Sequence, residues 1–100
     1  MMTDKTSIQL LAIGYHPEIM QVVHRLINSH DGWQGTIAAS MDEAAQLLQR
    51  NAYDGILLCA GVTEADEAQV RNIAAGTRVI RHYGGGSGLL ENEIRMAFDI

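Results

Sequence analysis

Residues Tyr53–Gly61 read Tyr-Asp-Gly-Ile-Leu-Leu-Cys-Ala-Gly, and this stretch decides the fold. Five apolar residues, Ile56 to Ala60, stand between an Asp-Gly pair and a Gly. Strict alternation of apolar and polar residues would indicate a strand with one wet face, whereas a continuous apolar run of strand length indicates a strand covered on both faces. We therefore expect the central strand of a parallel sheet, with helices packed on either side.

The residues before this stretch alternate strand and helix patterns. Ile8–Ile13 is an almost continuous apolar strand. Pro17 suits the first position of a helix, because its fixed backbone angle is already helical. Trp33 is expected to plug the bottom of the core, Thr36–Ala39 indicates a second strand, and Ser40–Glu43 is a capping box that opens a second helix. The first helix should bury one apolar face made of Ile19, Met20, Val22, Val23, Leu26 and Ile27.

The residues after the central stretch continue this alternation. Thr63–Asp66 is a weaker capping box. The helix that it opens should run through Ala75, with Val70 and Ile73 turned inward. Gly76 stands where a helix commonly ends with a residue in the left-handed conformation.

A fourth strand and a last helix complete the pattern. Arg78–Tyr83 mixes polar and apolar residues, which fits an edge strand better than a central one. Leu89–Phe98 follows as the last helix. The repeated alternation predicts one α/β domain over residues 1–100, a three-layer α/β/α sandwich around a parallel four-stranded sheet with right-handed crossovers.

Composition and charge exclude several classes of function. The apolar fraction of 47% and the charged fraction of 19% are ordinary for a soluble globular protein. The net charge is −5 and the seven basic residues are scattered, which argues against nucleic acid as a partner. No apolar run approaches membrane-spanning length, so no membrane partner is expected. Cys59 is the only cysteine, which excludes an internal disulfide and fits a cytoplasmic protein.

Three stretches of the chain resemble the receiver domain of bacterial response regulators. They read Leu-Leu-Ala-Ile-Gly-Tyr-His-Pro-Glu-Ile at 10–19, Met-Asp-Glu-Ala-Ala-Gln-Leu-Leu at 41–48 and Tyr-Asp-Gly-Ile-Leu-Leu-Cys at 53–59. The resemblance covers about residues 8–83 and implies a flavodoxin-like sheet of strand order 2-1-3-4. The chain is truncated relative to a full receiver, because the fifth strand and its lysine have no counterpart.

The same resemblance argues against receiver chemistry. Receivers accept a phosphoryl group on an aspartate at the end of the third strand, where this chain has Cys59. Their acidic pair, which binds magnesium, would follow the first strand, where Gly14 and Tyr15 stand. The hydroxyl residue expected after the fourth strand falls on Tyr83. The resemblance therefore implies the scaffold without the phosphoryl-transfer site, and we expect neither a metal nor another cofactor.

A candidate ligand site is expected at the carboxyl edge of the sheet, where ligands of open α/β folds bind. The glycine run at 84–88 could hold a phosphate with its backbone amides. Alternatively, it only lets the last helix cross back to the face that the first helix leaves half bare, which is the interpretation that we favour. The candidate binding residues are Tyr15, His16, Cys59, His82, Tyr83, Gly84, Gly85, Gly86 and Ser87.

Cys59 could also be a nucleophile activated by His16 or His82, although a small residue packed at the end of a buried strand is the commoner situation. Zinc is a weaker alternative, because these three residues include no closely spaced ligand pair.

We therefore expect a phosphorylation-independent, receiver-like interaction module that binds another protein, with a small anionic ligand or nucleotide as the alternative and a Cys59-dependent enzyme as the least favoured hypothesis. A homodimer is expected through the fourth strand and last helix, since the strand edge is unpaired. The C-terminal segment also has more apolar residues than one short helix buries: Leu89, Leu90, Ile94, Met96, Phe98 and Ile100.

Overall fold

The computed structural model describes residues 7–82 and 87–98. Strands and helices alternate along these residues, as the sequence pattern predicts. The elements are β1 Ile8–Ile13, α1 Pro17–Asn28, β2 Trp33–Ala38, α2 Met41–Arg50, β3 Gly55–Leu58, α3 Glu64–Ile73, β4 Arg78–Arg81 and α4 Ser87–Phe98. Within this part of the chain, no helix combines the length and apolarity needed to cross a bilayer.

The four strands form one parallel sheet in the order β2-β1-β3-β4. All four residues of β3 are buried, which confirms that this strand is covered on both faces. Ile13 pairs with both Ala38 and Leu58, and Leu58 pairs with Arg81, so the carboxyl ends of the strands meet at one edge. The predicted α/β fold of flavodoxin-like strand order is confirmed, as is the edge position of β4.

Two apolar clusters fill the space on either side of the sheet. On one face, Met20 and Ile27 of α1 pack in the same cluster as Leu90 and Ile94 of α4. On the other face, Ala44 of α2 and Val70 of α3 share the second cluster. The last helix therefore crosses back to lie beside α1, as expected.

Local hydrogen bonds explain where two of the helices begin. Thr63 and Asp66 form a complete capping box at the start of α3. The Ser40 hydroxyl accepts from the Glu43 amide at the start of α2. The Glu43 carboxylate, however, reaches the amide of Ala39 at 2.6 Å, one residue earlier than a standard box. Gly76 has φ of +90°, which confirms the left-handed position after α3.

The second strand is longer than its sequence pattern predicts. It begins at Trp33 and ends at Ala38, whereas the sequence predicts Thr36–Ala39. Trp33 pairs with Ile8 at the start of β1, and only 8% of its surface is exposed. Trp33 is therefore part of the strand as well as of the core. Pairing with β1 and burial of its large ring both favour the same extended backbone.

Two helices bury narrower faces than their sequences predict. Ile19 and Val22 are 44% and 47% exposed, and Ile73 is 37% exposed. Ile19 and Val22 each lie one residue, and therefore about 100° around the helix axis, from a buried residue of α1. Ile73 lies about 60° around the axis of α3 from Val70. A short helix lying on a sheet buries one stripe, so residues on its flank remain in solvent. α3 also ends at Ile73 instead of Ala75.

The ends of the last two elements differ slightly from the sequence prediction. The described part of β4 ends at Arg81, and α4 begins at Ser87, two residues before the predicted start at Leu89. The end of the predicted strand at Tyr83 and the end of the chain at Ile100 lie outside the described residues.

Candidate functional site

The carboxyl edge of the sheet is held by backbone hydrogen bonds that continue past the strands. The Tyr15 amide donates to the Ala60 carbonyl at 3.2 Å, and the Cys59 amide donates to the Ile13 carbonyl at 2.8 Å. The His82 amide donates to the Leu58 carbonyl at 2.9 Å. The residues that follow β1, β3 and β4 therefore have fixed positions relative to one another.

Tyr15 closes the edge between β1 and α3. Its ring lies over Gly61, where a Cβ would stand 3.1 Å from the nearest ring carbon. Its hydroxyl donates to the Asp66 carboxylate at 2.7 Å. Gly61 has φ of +93°, a conformation that L side chains rarely adopt, so glycine meets both the backbone and the space requirement at this position. The phenol therefore connects the loop after β1 to the first turn of α3.

The Tyr15–Asp66 contact changes the acidity of both groups. Asp66 accepts from the Tyr15 hydroxyl and from the Thr63 amide, and these two bonds hold the pKa of its carboxyl below its usual value. Burial, followed by the bond to Asp66, raises the pKa of Tyr15 to about 12. Because the carboxyl pKa is lower in the folded state, this contact stabilises the fold above the ordinary carboxyl pKa and is lost as pH falls through the folded value.

Cys59 lies in the core and not on an open surface. Its surface is 2% exposed, and it packs in the cluster beneath α1 and α4. Burial, with a smaller contribution from the charge of Glu93, raises the pKa of the thiol to about 12. At neutral pH the thiol is therefore protonated, and a protonated thiol is a poor nucleophile and a poor metal ligand.

His82 is bound to the last helix. Its Nδ1 lies 2.6 Å from Oε1 of Glu93 on α4, and its surface is only 8% exposed. This polar contact joins the end of β4 to the middle of α4. The imidazole thus binds a carboxylate on the face of the sheet that α1 and α4 cover. Tyr15 packs on the opposite face, against the cluster beneath α2 and α3.

The acidic first turn of α3 is engaged by arginines as well as by Tyr15. Nε and Nη2 of Arg81 lie 3.1 and 2.9 Å from Oε1 of Glu67, and Arg71 binds the other carboxylate oxygen. The bond to Arg81, followed by the bond to Arg71, lowers the pKa of Glu67. Across the described residues, no group of three His, Cys, Asp or Glu side chains is placed to hold a metal ion.

The remaining predicted site residues are placed only in part. His16 is exposed at the N-cap of α1, and its side chain makes no capping hydrogen bond. Tyr83 and Gly84–Gly86 lie outside the described residues, and Ser87 is described only as the first residue of α4. Sequence reasoning missed Asp66 and Glu93 as partners at this edge, because only the folded sheet brings them to Tyr15 and His82.

No family model matches the chain, and no curated protein matches it. Among solved structures, one match is a fusion protein that carries the yeast Spc42 trimeric coiled coil, amino acids 181–211. The match covers 97% of this chain and 83% of that chain, with a TM-score of 0.64 and 14% sequence identity. At this identity the likeness shows the fold alone.

The Gly61–Tyr15 contact gives a testable expectation. Gly61→Ala should destabilise the fold by more than the roughly 1–3 kcal/mol that a non-glycine residue costs in an unfavourable backbone conformation, because the new methyl group also displaces the Tyr15 ring. Gly76→Ala is the matched control, since Gly76 has φ of +90° and open space within 4 Å. Urea denaturation of both variants measures the difference. Equal losses of unfolding free energy would show that the ring contact contributes nothing.

Proposed function

We propose that this chain is a receiver-like module that takes no phosphoryl group and acts by binding another protein. The observation that carries the first half of this proposal is the position of Tyr15. Its ring and hydroxyl occupy the space between Gly61 and Asp66, beside the strand ends where receivers perform their chemistry. Packing and a charge-assisted hydrogen bond hold this side chain at the edge. The edge therefore has a structural role instead of a role in phosphoryl transfer.

The state of Cys59 supports the same proposal. This residue follows β3, at the place of the receiver acceptor, and its thiol is both buried and protonated at neutral pH. A thiol cannot form the acyl phosphate of a receiver aspartate. The Asp66 carboxylate already accepts from Tyr15 and Thr63, so it is poorly placed to serve magnesium, which prefers oxygen ligands in octahedral geometry.

The distribution of exposed apolar side chains supports a protein-binding role. The described residues include five large apolar side chains that are exposed. Four of them lie on the layer formed by α1 and α4, and the fifth is Ile73 on α3. Met96 is the most exposed of them at 74%. Single exposed apolar residues are ordinary on a protein surface, but a bias toward one layer favours an interface there. The four are Ile19, Val22, Leu89 and Met96.

Acetyl phosphate with magnesium is expected to leave the protein unmodified, because Cys59 replaces the acceptor and Tyr15 occupies the edge. Intact-mass spectrometry after incubation measures this, with the untreated protein as the control. A stable adduct of phosphate mass that resists acid and is lost in base would contradict the proposal, since that lability identifies an acyl phosphate on a carboxylate.

The proposed interface with a second copy uses β4 and α4. It is supported by the edge position of β4 and by the exposure of Met96. Light scattering at micromolar concentration should give twice the chain mass of 10.9 kDa. Met96→Glu should shift the protein to the monomer, because it places a charge in an apolar contact, whereas Ile73→Glu on the opposite layer is the matched control. A monomer mass that persists on concentration would exclude this interface.

A further inference from the structure

A groove with a volume of about 900 Å³ lies between α1 and the end of β2, and it reaches the carboxyl edge of the sheet at Gly14 and Tyr15. Its apolar lining includes Pro17, Met20 and Ile37. The exposed side of α1 contributes polar side chains, among them His24 and Arg25. Sequence reasoning did not predict this groove, because its shape depends on how α1 packs on the sheet, which no local sequence pattern indicates.

The groove runs along an edge strand whose outward backbone groups can be assigned. The carbonyls of Gly32 and Ala38 accept from the amides of Ile8 and Gly14, so these even-numbered positions face β1. Backbone groups of successive residues in a strand point to alternate sides. Gly35 and Ile37 of β2 therefore direct their amides and carbonyls away from the sheet.

Gly35 confirms this assignment through its contact with Asn28. The Gly35 amide donates to Oδ1 of Asn28 at 3.0 Å, and Nδ2 of Asn28 donates to the Gly35 carbonyl at 3.2 Å. The side-chain amide thus pairs with the strand as another strand would. Four residues further on, the Ala39 amide donates to the Glu43 carboxylate.

Ile37 lies between these two capped positions and lines the groove. Within the described part of the chain, no group bonds its outward amide or carbonyl. An unpaired pair of this kind on an edge strand is a template for an added extended segment. One residue of an antiparallel segment would satisfy both groups at once, in a hydrogen-bonded pair.

The charge of the groove favours an acidic occupant. Its lining includes Arg25 and His24 and no aspartate or glutamate, although the whole chain has a net charge of −5. Among the described residues, Arg25 has no carboxylate partner, whereas Arg71, Arg81 and Arg95 each have one. A basic site on an acidic protein selects for carboxylates and against cationic segments.

We propose that this groove binds an extended acidic segment of a partner protein. The segment adds beside β2 at Ile37, places an apolar side chain against Met20, and directs a carboxylate to Arg25. This inference rests on the proposed function as a protein-binding module and names the chemistry of one partner.

The test uses a fluorescent, end-blocked eight-residue peptide of sequence Thr-Val-Thr-Glu-Thr-Val-Thr-Glu, which presents valine and glutamate on the same face of an extended chain. Binding is followed by fluorescence anisotropy at low salt. Saturable binding is expected, weakened about fivefold by Arg25→Gln, as for the loss of one exposed ion pair. Arg50→Gln is the matched control, because Arg50 is exposed on α2 and has no ion pair with a described residue. It should leave binding unchanged.

Two further peptides separate backbone pairing from attraction between charges. A version with N-methyl groups on both the valines and the glutamates lacks the amide donors for strand addition and should bind at least tenfold more weakly. A version with lysine in place of glutamate should not bind, although the net charge of −5 would attract it. Both arms use the unchanged protein, so they do not depend on whether a variant folds.

Three results would overturn the inference: no binding of the glutamate peptide, equal weakening by Arg25→Gln and Arg50→Gln, or equal binding of the N-methylated peptide. If the peptide fails to bind while acetyl phosphate leaves the protein unmodified, the groove inference falls and the proposal of a phosphorylation-independent module stands. If acetyl phosphate modifies the chain, that proposal falls whatever the groove binds.

Discussion

The burial of β3 on both faces is the constraint on which the rest of the structure depends. Its four residues are enclosed, so each face of the sheet needs its own layer of helices. α2 and α3 cover one face, but α1 alone cannot cover the other. α4 fills the remaining half with Leu90 and Ile94, and the contact between His82 and Glu93 holds it to the end of β4. A four-stranded sheet thus obtains two complete layers from four helices.

The same enclosure decides what the carboxyl edge can do. Cys59 lies where the buried strand ends, so its thiol is surrounded by the apolar core. Because burial disfavours the thiolate, the thiol stays protonated. Tyr15 and His82 carry polar atoms, yet each is bound to a carboxylate on a different helix. Groups that could serve a ligand are therefore used to join the strands to the helices. The surface that the proposed protein partner would contact therefore lies on the helices and on the edge strands.

Local patterns in the sequence were enough to predict the order of elements, the parallel sheet and the cap of α3, because each depends on residues close together in the chain. The start of β2 at Trp33 was missed, because pairing with β1 overrides the glycine and turn residues around it. The Tyr15–Asp66 contact spans 51 positions, and neither residue type alone indicates it. The sequence does not predict that Val22 is exposed, because helical periodicity does not indicate how wide a face of the helix the sheet will cover.

Tyr15 closes the carboxyl edge by holding Asp66, and a titration of the Asp66 carboxyl shows whether it does so. The carboxyl carbon of Asp66 can be followed by NMR across the acid range in the unchanged protein and in Tyr15→Phe. We expect the pKa of Asp66 to lie below the ordinary aspartate value in the unchanged protein and to rise clearly toward that value when the hydroxyl is removed. The same pKa in both proteins would contradict it.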